Sequence, residues 1–207
     1  MHSIASSIGF IRHGAVLSAL AGCLLAAPAS VFAQSHPAEH WEVAIEAGYL
    51  DKIRDNSPLD YVIVPLQVAW RSPALFDIWT SESGARLTVR NRIAVILETY
   101  VEGAEDYYFA FAGAPSFELW NAAQKSALFL EIGGGAGITN SNSTPGGQGQ
   151  DFTFNWFSQL GVRHQISKTQ AFTAAGYFTH HSNLGMTDPN PGIDVLGINL
   201  GLVWQLE

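Results

Sequence analysis

Apolar side chains recur at every second position through most of this chain, in short segments broken by polar, Gly- or Pro-containing links. No apolar run after residue 34 reaches the roughly 20 residues that a spanning helix needs. A period of two is the signature of a strand with one greasy face. Eight segments show it: 41–50, 60–71, 86–101, 107–120, 126–138, 152–166, 170–182 and 194–206. In the third, Leu87, Val89, Ile93, Val95 and Leu97 oppose Arg90, Arg92 and Glu98. In the fourth, Tyr107, Phe109, Phe111, Phe117 and Leu119 oppose Ala110, Ala112, Ser116 and Glu118. Leu128, Leu130 and Ile132 stand against Glu131, Gly133 and Gly135 in the fifth. In the sixth, Phe152, Phe154, Trp156, Leu160 and Val162 stand against Thr153, Asn155, Gln159 and Arg163.

Two all-β architectures accept this pattern. A soluble sandwich would turn the polar faces outward, yet charged residues make up only 14% of the chain, against about 25% in ordinary soluble domains. An eight-stranded antiparallel transmembrane β-barrel inverts the arrangement, with apolar faces toward lipid and polar or small residues in the lumen. It also closes the sheet edges that hydrocarbon could not satisfy. The N-terminus agrees. Arg12 and His13 precede an apolar run from Ala15 to Ala27, and Val31-Phe32-Ala33 forms an A-x-A-like cleavage site. Residues 1–33 therefore read as an export signal and 34–207 as a single barrel domain, placed in the outer membrane of a Gram-negative bacterium. Leu20-Ala21-Gly22-Cys23 also has the form of a lipoprotein cleavage box, but small and apolar residues continue beyond it. Cys23 is the single cysteine, so a chain cut after Ala33 has neither disulfide nor thiol chemistry. The formal charge of −8 argues against a nucleic-acid partner. Outer-membrane lipids are the expected surroundings.

Closure of the barrel would send Glu42, Glu46, Arg90, Arg92, Glu98, Glu118, Glu131 and Arg163 into the lumen. Unpaired buried charge is costly, so an ion-pair network is expected there. With both termini on the periplasmic side, the links after the first, third, fifth and seventh segments face outward. The polar link 139–151 suits that side, and the short links 121–125 and 167–170 suit the other. The link 72–84 does not fit a short turn: it is long, carries Leu75, Phe76, Ile78 and Trp79, and reads as a membrane-surface segment. Trp41, Trp120, Trp156 and Trp204 read as an interfacial belt.

The chemistry concentrates in 178–194. On a strand, residues i and i+2 share a face about 6.6 Å apart, so His180 and Ser182 point the same way and His181 the other, into the lumen. If residues 183–193 close a hairpin, Ser182 is expected opposite Asp194, with His180 diagonal to the carboxylate. A hydroxyl, an imidazole and an acid on one face are the parts of an acyl-transfer triad. Here they share the apolar face of Phe172, Ala174, Phe178, Leu196 and Ile198, near the outer rim. His36 and His40 are too isolated to hold a metal, and no metal or other cofactor is expected.

At these residues the chain resembles the lipid A 3-O-deacylase (PagL-like) family, also called acyloxyacyl hydrolases. The resemblance rests on His180-His-Ser182-Asn183, Gly185 and Pro189-Asn190-Pro-Gly192-Ile193-Asp194, and more weakly on Val89-Arg-Asn-Arg92 and the strand plan over 41–206. It implies an outer-membrane hydrolase of the ester-linked 3-hydroxyacyl chain at position 3 of lipid A, with lipopolysaccharide as substrate. In that family's pattern Ser182 is the nucleophile, His180 the general base and Asp194 the acid that orients it. Asn190 and the Gly185 N–H match the oxyanion donors, and Asn183 shapes the loop. The best-known members carry Glu where this chain has Asp194, one methylene shorter, so the strand pairing must bring it closer. The resemblance also allows a homodimer. Two other readings stand beside it. A calcium-dependent outer-membrane phospholipase shares an H-x-S-N-G motif, but Leu184 replaces its Gly and the chain is too short for a twelve-stranded barrel. A non-enzymatic structural or adhesive barrel is the third.

Overall fold

The computed structural model describes residues 35–54 and 59–206. The export signal expected over 1–33 lies outside the described residues. Nine strands are present among them: β1 Glu42–Lys52, β2 Val62–Arg71, β3 Phe76–Thr80, β4 Arg86–Glu102, β5 Tyr107–Trp120, β6 Ser126–Thr139, β7 Phe152–Gln165, β8 Gln170–Ser182 and β9 Ile193–Gln205. Each pairs antiparallel with its neighbours in the order β2-β1-β9-β8-β7-β6-β5-β4-β3, and a β2–β4 ladder closes the sheet into a barrel of eight strands. No described helix is long and apolar enough to cross a membrane.

β3 corrects the reading of 72–84 as a surface link. β2 leaves the barrel at Arg71, opposite Arg92, and the chain then resumes pairing along the first residues of β4, with Phe76 opposite Val89 and Thr80 opposite Arg86. The backbone bridges the gap, since Ser72 N–H donates to the Asn91 carbonyl at 2.9 Å and Leu75 N–H to the Val89 carbonyl at 2.8 Å. Residues 72–89 therefore form a hairpin arm that prolongs the wall at the end holding the first and last described residues. All five residues of β3 are exposed, which explains why no alternation betrays it: neither face is buried. Strand pairing here costs the sequence no face pattern.

Alternation sets the rest. Ile45, Ile93, Phe111, Leu130, Leu160 and Leu200 all stand exposed on the outer wall, a surface water would not tolerate but hydrocarbon does. The inner wall is polar and paired. Arg163 grips both carboxylate oxygens of Glu42, which also receives Arg90 at 2.8 Å. Glu46 takes Arg71 at 2.9 Å and Arg92 at 2.8 Å; Glu131 takes the same two arginines at 3.1 and 3.2 Å. Glu118 accepts from Trp120 Nε1 at 2.9 Å and lies 3.4 Å from Arg90. Glu98 meets His181 at 3.1 Å. The expected ion-pair network is there, with Arg71 added to it. Removing one partner from such a pair leaves an uncompensated buried charge and costs about 3–5 kcal/mol.

The turns at the terminal end are short: Asn121 caps its link by accepting from the Lys125 N–H at 3.0 Å, and Ser167 closes on Gln170. A single 3-10 turn, Pro37–Glu39, tucks Ala38 and His36 against Trp120 at this end. The long links 53–61, 140–151 and 183–192 lie at the other end.

Candidate functional site

β8 and β9 meet at the long-link end. Their last two pairs are His180 opposite Asp194 and His181 opposite Ile193. Ser182 lies one residue beyond that ladder and pairs instead with Phe154 on β7. His180 Nδ1 stands 2.8 Å from Asp194 Oδ1. An ionised carboxylate only accepts, so Nδ1 is assigned the proton and Nε2 is left as the basic nitrogen. Asp194 is 2% exposed and Ser182 7%, while the His180 side chain keeps 25% of its surface. His181 turns inward, as expected, against Glu98 and edge-on to Tyr108.

The expected register is corrected by two residues. Asp194 sits opposite His180, not opposite Ser182. A shift of two preserves every face, which is why the grouping of the three side chains survives it. The cause is the link 183–192, far longer than the two-residue turns that fix a hairpin's register. Direct pairing also answers the missing methylene at Asp194. Opposite residues approach more closely than diagonal ones, and an aspartate there reaches the imidazole.

Asn183 organises the link. Fully buried, it donates through Nδ2 to the Gln148 carbonyl at 2.6 Å, the Thr187 carbonyl at 2.8 Å and Thr187 Oγ1 at 2.9 Å. Its own N–H donates to Asn190 Oδ1 at 3.0 Å. One side chain thus ties link 183–192 to link 140–151 directly beside Ser182. Gly149 completes the seam. It adopts φ +74°, and a Cβ there would run into the Pro189 carbonyl; only glycine meets both demands without strain.

The structure revises one of the two expected oxyanion donors. The Gly185 N–H donates to Asn183 Oδ1 at 2.8 Å, so it is spent in a turn of the link. Asn190 uses its oxygen on the Asn183 N–H, which leaves its Nδ2 as the donor of that side chain. Ser182, His180, Phe154, Asn155, Trp156 and Leu184 line an open cavity of about 240 Å³. Phe154, Trp156, His180 and Ser182 come from the outward faces of β7 and β8 and Leu184 from the link, with Trp156 directly opposite His180 and its ring 6.1 Å from the imidazole. Ser182 Oγ has no hydrogen bond among the described residues and is available to a ligand in the cavity.

The family model of lipid A 3-O-deacylase (PagL) matches residues 63–203, which hold β8, the link and nearly all of β9. The chain belongs to the lipid A 3-O-deacylase (PagL) family. A crystal structure of the outer membrane enzyme PagL is similar over 77% of this chain and 97% of that one, at 19% identity and a TM-score of 0.52. At that identity the likeness speaks for the fold. The backbone structure of the Yersinia pestis outer membrane protein Ail in a phospholipid bilayer nanodisc covers 77% of this chain and 98% of its own, at 16% identity and a TM-score of 0.34, too distant to carry an argument. No curated protein matches. The fold is thus an outer-membrane barrel of the PagL type.

Three residues beside the PagL-like motif escaped the sequence reading. Trp156 was expected in an interfacial belt, and it does stand on the outer wall, but next to the imidazole. Its place could be read by folding 152–166 onto 170–182 about the turn at 167–169. Gln148 and Arg54 had no such signal. They reach the site across links, Gln148 through Asn183 and Arg54 with Nη1 at 3.5 Å from Asp194 Oδ2.

Proposed function

We propose that this protein is a lipid A 3-O-deacylase that works by a Ser182–His180–Asp194 triad on the outer wall of the barrel. One observation carries the reading: the 2.8 Å contact between His180 Nδ1 and Asp194 Oδ1, with His180 lining the same cavity as Ser182. With Nδ1 tied to the acid, Nε2 is the nitrogen that can accept the Ser182 proton. Ser182 Oγ attacks the carbonyl carbon of the ester at position 3, and His180 takes its proton. The tetrahedral intermediate collapses, the bond between the acyl carbon and the sugar's O3 breaks, and the imidazolium returns that proton to O3 as it leaves. The 3-hydroxyacyl chain stays on Ser182 until water, deprotonated by the same imidazole, releases it as the free acid. Asn190 Nδ2, which the Oδ1 contact to the Asn183 N–H leaves as that side chain's donor, is in this reading the group that stabilises the developing oxyanion, a contact typically worth 10²–10³ in rate.

The apolar walls of the cavity, Phe154, Trp156 and Leu184, suit an acyl chain, and the wall on which it opens faces hydrocarbon. With the long links outward, the site lies by the outer leaflet, where lipid A resides. Mass spectrometry of lipid A from cells making the wild type or Ser182→Ala tests the proposal. The expected result is loss of one 3-hydroxyacyl chain with the wild type alone. Release of lysophospholipid that a chelator abolishes would favour a calcium-dependent phospholipase instead, and unchanged lipids a non-enzymatic barrel.

A further inference from the structure

We infer that Arg54 binds the phosphate at C1 of the sugar ring whose C3 ester is cleaved; this rests on the lipid A reading above. Among the described residues, the four links at the site's end of the barrel carry Asp60, Glu105, Asp106, Asp151 and Asp188, and Arg54 is the single Lys or Arg. Such an end repels a phosphorylated lipid unless a cation is placed where the headgroup must sit. Arg54 is in that place. The Ile53 N–H donates to the Asp194 carbonyl at 3.0 Å, extending the β1–β9 ladder, and so fixes the next residue beside the triad acid. The Arg54 side chain is 71% exposed, and its recorded contact is the long 3.5 Å approach to Asp194 Oδ2. Lys52, the nearest other cation, is 11% exposed and already donates to the Leu59 carbonyl at 2.8 Å and faces Asp60 at 3.8 Å.

A guanidinium presents five donors in a planar fork that matches a phosphate's oxygens two at a time. One donor directed at Asp194 leaves the others for a ligand. A phosphate held by Arg54 would lie on the β9 side of His180, with Ser182 and the apolar cavity on the β7 side. The sugar ring would then span the imidazole, with its phosphate at one edge and its C3 acyl chain at the other.

The test measures kcat and KM for the wild type, Arg54→Gln and Arg54→Lys in detergent micelles. The substrates are lipid A with both phosphates, lipid A lacking the C1 phosphate, and lipid A lacking the distal one. Arg54→Gln should raise KM about tenfold wherever the C1 phosphate is present, leave kcat unchanged, and cause no loss on lipid A without that phosphate. Arg54→Lys should recover part of the defect, because the charge stays while the two-pronged fork is lost. Equal losses on all three substrates, or a loss in kcat, would mean that Arg54 acts through the Asp194 carboxylate and would overturn the inference, as would no loss at all. A second measurement is independent of hydrolysis: titration of the three lipids onto Ser182→Ala with and without Arg54→Gln. Binding that ignores both Arg54 and the C1 phosphate overturns the inference. A phosphate-dependent difference in a protein whose wild type cleaves none of the three sustains the inference while sinking the deacylase reading.

Discussion

His180 and His181 are neighbours in the chain and each stands about 3 Å from a carboxylate, yet they occupy different worlds. His181 and Glu98 are sealed in the lumen, with 2% and 0% of their side chains exposed. His180 and Asp194 sit on the lipid-facing side, where the imidazole borders an open cavity and a hydroxyl two residues away. On the proposed reading, the parity of one strand decides which pair is ballast and which is chemistry. An imidazole–carboxylate pair becomes a catalyst only with access and a nucleophile; without them it is a buried polar contact.

Mutation can break the outer pair and spare the inner one. Ser182→Ala should abolish deacylation, by about 10⁵-fold or more, with the barrel's heat-shifted electrophoretic migration intact. Asp194→Asn should lower kcat about 10⁴-fold, because an amide no longer holds the imidazole in the working tautomer. Asn183→Ala removes the amide whose two N–H groups are shared among the Gln148, Thr187 and Pro189 acceptors and seat the link beside Ser182; small displacement of a reacting group can cost about 10²-fold, read in kcat. Gly149→Val strains a left-handed backbone and pushes on Pro189, for a loss of about tenfold. The converse completes the contrast. His181→Phe should leave kcat close to wild type but strand Glu98 in the lumen, lowering stability by about 3 kcal/mol in a urea unfolding series. A kcat that collapsed with His181→Phe and survived Asp194→Asn would reverse the assignment of the two pairs.

The period-two pattern made the barrel legible, because eight strands each bury one face, and the observed ends differ from the expected ones by no more than a couple of residues. The grouping of His180, Ser182 and Asp194 was legible for the same reason: parity is insensitive to a register shift of two. What parity cannot carry was missed. β3 buries neither face and so leaves no periodic trace. The pairing of Asp194 with His180 depends on how link 183–192 folds, and that depends on Asn183 finding Gln148 from another link. The resemblance assigned the Gly185 N–H to the oxyanion, and nothing in the sequence announces that Asn183 Oδ1 captures it.

Phe154, Trp156, His180 and Ser182, which line the cavity, stand on the outer face of the wall and not in the lumen. A substrate would then reach it by drifting in the plane of one leaflet, so that encounter is two-dimensional. Turnover should follow the mole fraction of substrate among neighbouring lipids, and diluting the membrane with inert lipid should slow the enzyme even when the total amount of both partners in the tube is held fixed.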